Sequence, residues 1–409
     1  MRVAVVTQSL DRVGGVETYL DAVLPALAAR HDVSLCVANA QVSNRGAIRL
    51  PRHVELLEIG RAGGDDIQAL RSWAPDLVFA HGLEDAALER AALDSAPAIA
   101  VQHTYHGTCI SSAKTMTWPV IEPCEREFGP ACMALYFPRR CGGSSPLTMG
   151  SLYRVQAMRL ATLKNAAAVV TLSRHMANEM ARNGVRPDRV HVVPPFVSPG
   201  SQSLCLAPRV ADETRCRLLY LGRLERLKGV DGLLNALGPV STQLERPVHL
   251  TIAGDGGERA SLEDLASGIR RNHPAVSIEF AGWQDETGRA RLLAGADALV
   301  VPSIWPEPFG LVGLEAAAAG LPAIAFRVGG IPEWLHDGEN GCLAALTDDR
   351  AAALADAIVR CVRPAARLRQ LRDGARRSAS RWRLDEHVRM LEHVFEIVVP
   401  SLCGSGAML

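Results

Sequence analysis

Residues 302–320 read PSIWPEPFGLVGLEAAAAG and follow the apolar run Ala298-Leu299-Val300-Val301. Four apolar residues bounded by proline fit a buried parallel strand. Pro302, Pro306 and Pro308 exclude regular structure from the next segment, and a helix can begin from Phe309. Strand, stiff loop and helix N-terminus, in that order, is how α/β proteins hold anions. The backbone N–H groups of Gly310, Leu311 and Val312 would lack intrahelical acceptors and point toward a negative group at the carboxyl edge of a sheet. Glu307 in the loop and Glu315 in the helix add two carboxylates. A carboxylate repels phosphate but accepts hydrogen bonds from the paired hydroxyls of a hexose or a ribose. Amides for phosphate beside carboxylates for hydroxyls fit a nucleotide-sugar. A surface loop leading into a packed, alanine-rich helix fits the same spacing.

The chain has 409 residues, 48% of them hydrophobic and 22% charged, which sets two domains of ordinary size as the expectation. Lys and Arg number 44, as do Asp and Glu, so the overall field gives no reason to expect nucleic acid or a membrane as partner. No apolar run reaches the ~18 to 20 residues needed to span a bilayer. The opening MRVAVVTQSL reads as a first strand and not as a signal peptide. A cytoplasmic protein is therefore expected, its ten cysteines thiols or metal ligands before they are a disulfide framework.

Outward from residues 302–320, short apolar runs alternate with helical patterns in both directions. Residues 3–6, 33–38, 54–59, 77–80, 98–101, 168–172 and 190–193 are strand candidates. Helices fit residues 16–30, 85–93, 152–165 and the stretch from Ser173, a candidate N-cap, to Gly184. This rhythm predicts a doubly wound parallel sheet. It fails between residues 104 and 151. Pro194-Pro195 and a Pro- and Ser-rich stretch mark a boundary, after which the rhythm restarts. Residues 1–196 are thus expected as one Rossmann-like domain, 197–215 as linker and 216–380 as a second such domain. A last helix is expected over residues 381–400.

Other motifs of the second half point to the same edge. Arg223 and Lys228, in LYLGRLERLKG, lie where a diphosphate would rest, and a leaving diphosphate needs its growing charge neutralised; solvated loop cations are the alternative. AGDGGE, around Gly254, would let a ligand approach the backbone. Phe280-Ala281-Gly282-Trp283 ends another strand.

Taken in order, Gly222-Arg223, Lys228-Gly229, AGDG, AGW, residues 296–325 and VGGIPEWLHDGENG resemble the retaining glycosyltransferases of family 4, of GT-B fold. The first half resembles them more loosely, through GGVETYL, Gln102-His103 and TLSRHMANEMARNGV. The resemblance implies two doubly wound Rossmann-like domains facing each other across a cleft, with the last helix, taken to contain Trp382, crossing back to the first. It implies that Arg223 and Lys228 hold the donor diphosphate, Glu307 the donor sugar and Glu315 the ribose diol. Phe309, Gly310, Leu311 and Val312 would offer amides to sugar and phosphate. Gly222, Gly254 and Trp283 would line the nucleotide, and Gly14 and Gly15 would let the first domain's loop close on the diphosphate. His103 would contact the sugar near the reacting carbon, although the variant HTYHG leaves His106 as an alternative. Implied too are a UDP-, GDP-, ADP- or TDP-sugar as substrate, no cofactor and no divalent metal, and a polysaccharide, lipid-linked or small-molecule acceptor.

Three features lie outside that pattern. Cys109, Cys124, Cys132 and Cys141 occupy the irregular segment at spacings that match no compact zinc module. Buried thiols, a metal or disulfide clip and a redox role all fit. The segment's aromatics suit an acceptor wall or a small local core. The stretch 360–383 is arginine-rich and fits contact with an anionic membrane or a solvated helix face. A different GT-B enzyme, an epimerase or phosphorylase, and a binding subunit without activity are the functional alternatives.

Overall fold

The computed structural model describes residues 1–11, 14–42, 46–60, 66–198 and 214–400. It divides into two units. The first holds residues 1–119 and 124–195 together with the C-terminal helix; the second holds residues 120–123 and the remainder up to Arg383. Most of the expected linker lies outside the described residues.

In the first unit the order is β1 (Arg2–Ser9), α1 (Gly15–Ala28), β2 (Asp32–Asn39), β3 (Glu55–Glu58), α2 (Gln68–Trp73), β4 (Leu77–Ala80), α3 (Ala86–Leu93) and β5 (Ala98–Gln102). The irregular segment follows, with the two-residue strands β6 (Thr115–Met116) and β7 (Glu122–Pro123) and helix α4 (Pro130–Tyr136). Then come α5 (Pro146–Asn165), β8 (Ala168–Thr171), α6 (Arg174–Arg182) and β9 (Val190–Val192). The main strands form a parallel sheet in the order β3-β2-β1-β4-β5-β8-β9. Val3, Ala4, Val5 and Val6 are wholly buried, which explains an apolar run where a half-exposed strand would alternate. Ser173 caps α6 as expected, accepting from the Met176 N–H at 3.1 Å. Helix α5 starts six residues before the predicted Leu152. Ser145 accepts from the Thr148 N–H and Pro146 occupies the first turn, a start signal that outweighs the poor helix formers Thr148 and Gly150.

The second unit runs β10 (Cys216–Leu221), α7 (Val230–Leu244), β11 (Val248–Ala253), α8 (Arg259–Asn272), β12 (Val276–Gly282), α9 (Glu286–Gly295), β13 (Ala298–Val301), α10 (Leu311–Ala318), β14 (Ala323–Phe326), β15 (Gly341–Ala344), α11 (Arg350–Val362) and α12 (Ala365–Ala379). Its sheet is also parallel, in the order β12-β11-β10-β13-β14-β15. Much of the arginine-rich stretch braces this unit. Arg372 is buried and pairs with Asp297 at 3.0 Å, Arg360 bonds Asp356 and the Leu343 carbonyl, and Arg363 bonds the Gln243 carbonyl. Among the described residues no helix is long and apolar enough to cross a membrane.

The last helix, α13 (Leu384–Val398), belongs to the first unit. Val388, Leu391, Val394 and Phe395 recur at helical spacing and are buried. Full burial of a side chain such as Leu391 contributes roughly 1.5–3 kcal/mol. Trp382 precedes this helix instead of lying in it and stacks edge-on against Phe309 in the second unit. On α13, His387 donates from Nδ1 to the Pro194 carbonyl at 2.6 Å and accepts at Nε2 from the Tyr19 hydroxyl of α1 at 2.7 Å.

Burial lowers His387 to about 4, which ties stability to pH. Between the ordinary histidine value near 6.5 and about 4, the unfolded chain binds this proton and the folded chain does not. Stability is therefore intact above about 6.5 and lost as pH falls, by on the order of 3 kcal/mol once pH reaches the folded value. The thermal midpoint should drop steadily from pH 7 to pH 4.5. His387→Gln should be less stable at pH 7 but show a shallower slope; an unchanged slope would remove His387 from the account.

Candidate donor-binding site

Strand order locates the site in the second unit. The sequence of strands reverses direction between β10 and β13, and ligands of open parallel sheets bind beyond the carboxyl ends at such a point. The two loops there are residues 222–229 and 302–310. They are stitched together through one carbonyl: Leu227 accepts from the Ile304 and Trp305 N–H groups at 3.0 and 3.1 Å. Glycines join the neighbouring loops, with the Gly222 N–H on the Ala253 carbonyl at 3.1 Å and the Gly254 N–H on the Gly282 carbonyl at 2.8 Å.

Lys228 and Glu307 meet across this junction, Nζ to Oε1 at 2.6 Å, with side chains 18% and 10% exposed. The ammonium also lies 4.7 Å from the centroid of the Trp305 ring. The two residues, expected on different parts of a ligand, touch each other, a contact that no local sequence pattern encodes. Arg223 is exposed; its guanidinium reaches Glu225 at 2.7 Å, and its carbonyl accepts from the Tyr220 hydroxyl at 2.7 Å.

A second loop holds Glu307 in place. The Gly330 N–H donates to the Glu307 carbonyl at 2.7 Å, and the Trp334 indole N–H donates to the Phe309 carbonyl at 2.6 Å. Gly329, at φ +56°, lies where a Cβ would be 2.3 Å from the Glu307 carbonyl, so only glycine fits. This is the physical content of the VGGIPEW motif.

Helix α10 starts at Leu311, two residues later than the first permitted position, because Gly310 takes the left-handed conformation at φ +96° as its N-cap. The amides of Leu311 and Val312 therefore open the helix without intrahelical acceptors. Phe309 is buried and only its backbone is available to a ligand, whereas Trp283 is half exposed. Burial raises Glu315 above the usual carboxylate range, and Arg289, with Nη1 at 3.8 Å, opposes the rise. Arg289 went unnoticed in the sequence because α9 carries no clear apolar period.

In the first unit the strand order reverses between β1 and β4. Gly14 and Gly15 follow β1. The Gly14 N–H is engaged by Glu17 Oε2 at 2.8 Å, while Gly15 opens α1. His103 follows β5, half-buried, with Nε2 2.9 Å from Nδ1 of His81, the residue after β4. Burial lowers His103 to about 4 and His106 to about the same value, so both are neutral near pH 7.

Cys109, Cys124, Cys132 and Cys141 are free thiols. Burial raises Cys141 to about 11, and the other three cysteines add to the rise. Among the described residues no group of three or more His, Cys, Asp or Glu is placed to hold a metal ion. Backbone bonds brace the segment instead, Cys124 N–H to the Lys114 carbonyl at 2.8 Å and Cys141 N–H to that of Tyr136 at 2.9 Å. Buried Lys114 pairs with Glu179 and donates to the Arg126 carbonyl.

Comparison with known proteins agrees with this geometry. Residues 215–363 match the family model for glycosyl transferases group 1, and residues 14–195 that for the glycosyl transferase 4-like domain. The chain is 32% identical over 326 residues to the glycogen synthase of Mycobacterium tuberculosis, covering 76% of this chain and 66% of that one. It is 38% identical over 164 residues to the phosphatidyl-myo-inositol mannosyltransferase of Mycobacterium leprae, covering 39% of this chain and 41% of that one. The matches thus span between about two fifths and two thirds of these relatives. Among solved structures, HepE of Anabaena in complex with UDP and glucose superposes with a TM-score of 0.67 at 17% identity, covering 97% of this chain and 99% of that one. Two parallel-sheet Rossmann-like units, the ordered loop motifs at the second sheet's switch point and both matched models lead to one conclusion: the chain belongs to the family 4, group 1 glycosyltransferases, of GT-B fold.

Proposed function

We propose that the chain transfers a sugar from a nucleoside diphosphate sugar to an acceptor hydroxyl, with retention of anomeric configuration and without a divalent metal. The observation that carries this reading is the contact of Lys228 with Glu307 beside the open amides of α10. A cation and a helix N-terminus serve a diphosphate, and a carboxylate at the same point serves sugar hydroxyls. In this reading Lys228 and Arg223 neutralise charge as the bond between the anomeric carbon and the phosphate oxygen breaks. The acceptor oxygen bonds to that carbon from the same face, and its proton passes to the departing phosphate oxygen. Glu315 receives the ribose diol, and His103 contacts the sugar.

The names of the relatives support a glycan or lipid-linked acceptor, and the UDP bound to HepE supports trying UDP-sugars first. Membrane contact through residues 360–383 is a weaker proposal, since Arg360, Arg363 and Arg372 already serve the fold. A thermal-shift and hydrolysis screen with UDP-, GDP-, ADP- and TDP-sugars, with and without EDTA, tests the reading. One nucleotide-sugar should raise the midpoint and be slowly hydrolysed, unaffected by EDTA. Stabilisation with no turnover, even with acceptors present, would favour a binding subunit. An absence of stabilisation by all four would remove the donor assignment.

A further inference from the structure

We propose that His81 is a positioning residue that holds His103 as the tautomer protonated on Nδ1, so that His103 meets the donor as a hydrogen-bond donor and not as a base. The inference rests on the reading of His103 as a donor-contacting residue. The two residues follow the carboxyl ends of the adjacent parallel strands β4 and β5, whose pairing ends at Ala80 with Ala100. They lie nearly parallel, centroids 5.2 Å apart, and share one proton between His81 Nδ1 and His103 Nε2 at 2.9 Å.

What surrounds His81 decides which ring owns that proton. Phe79 and Tyr19 pack against it, with centroids at 4.5 and 5.4 Å, and the residue is 5% exposed. Its other nitrogen, Nε2, is buried and has no hydrogen-bond partner. The Tyr19 hydroxyl, whose ring packs on His81, is not hydrogen-bonded to that nitrogen, and its hydrogen goes to His387. A carbonyl only accepts, so the bond from His387 Nδ1 to Pro194 fixes the His387 proton there and makes its Nε2 the acceptor of the Tyr19 hydroxyl hydrogen. Burial keeps His81 neutral, so it carries one proton. On Nε2 that proton would be a buried donor without an acceptor; on Nδ1 it is satisfied by His103. His103 Nε2 then accepts, and its own proton lies on Nδ1.

The test uses the full-length protein labelled with ¹⁵N-histidine, with His103→Gln to assign the resonances. Two-bond ¹H–¹⁵N spectra should show His103 protonated on Nδ1. His81→Asn, whose amide can still donate, should keep that pattern and the larger part of kcat. His81→Asp, which only accepts, should move the proton to Nε2 and lower kcat for donor hydrolysis about 10²-fold, with little change in binding of the free nucleotide. Protonation of wild-type His103 on Nε2, or identical spectra for the Asn and Asp variants, would overturn the inference. The expected spectra with unaltered kcat in His81→Asp would uphold the tautomer and reject a role for His103 in transfer, leaving the second unit's donor site untouched.

Discussion

Lys228→Ala should lower kcat for transfer or donor hydrolysis roughly 10²–10³-fold, the usual cost of removing one preorganised charge from a developing anion. The ammonium is largely withdrawn from water, between Glu307 and the face of Trp305, where its field is screened less than that of a surface lysine. Its loss also leaves Glu307 a mostly buried charge without its partner, costing on the order of 3 kcal/mol of stability. Turnover must therefore be measured beside a melting curve. Arg223→Ala separates the two effects. Its exposed pair with Glu225 holds the fold by no more than about 0.5 kcal/mol, so the variant should fold as wild type and still lose turnover. Near-wild-type kcat in both variants would refute the diphosphate assignment.

The sheets were legible because parallel strands covered on both faces need unbroken apolar runs, as in residues 3–6 and 298–301. The start of α5 was hidden because Thr148 and Gly150 mask the Ser-Pro signal, and α9 because it lacks an apolar stripe. Strand β15 is short and follows a turn-rich stretch, so periodicity had nothing to act on. Trp382 was assigned to the wrong element for a related reason: the break at residues 380–383 contains neither Gly nor Pro.

For the site, a succession of motifs identifies residue types but not their partners. Lys228 and Glu307 are 79 positions apart, and their contact exists only because β10 and β13 are neighbours, a matter of strand order that no local pattern encodes. The same holds for His81 and His103, for Arg289 beside Glu315, and for His387, which reaches Tyr19 across the length of the chain. VGGIPEW is the instructive case. Its glycines and tryptophan act on the backbone of residues 307–309, so through them the motif contributes shape to the site.

Glu307→Gln should separate the two halves of the donor. Glutamine keeps the length and planarity of the side chain but carries no charge, so its bonds to sugar hydroxyls lose the strength that an ionised acceptor gives. Affinity for the intact nucleotide-sugar should fall about 10- to 100-fold, in line with roughly 1.5–3 kcal/mol for hydrogen bonds to a charged group. The free nucleoside diphosphate should respond in the opposite sense. It makes no sugar contact, the substitution removes a negative charge from its surroundings, and it frees Lys228 from an ion pair at 2.6 Å that competes with phosphate. Its binding should therefore be unchanged or tighter. Calorimetric titration with the nucleotide-sugar and with the nucleotide measures both. Equal losses for the two ligands would place Glu307 against the nucleotide, or make it a brace for the loop alone, and would break the assignment of phosphate to Lys228 and sugar to Glu307.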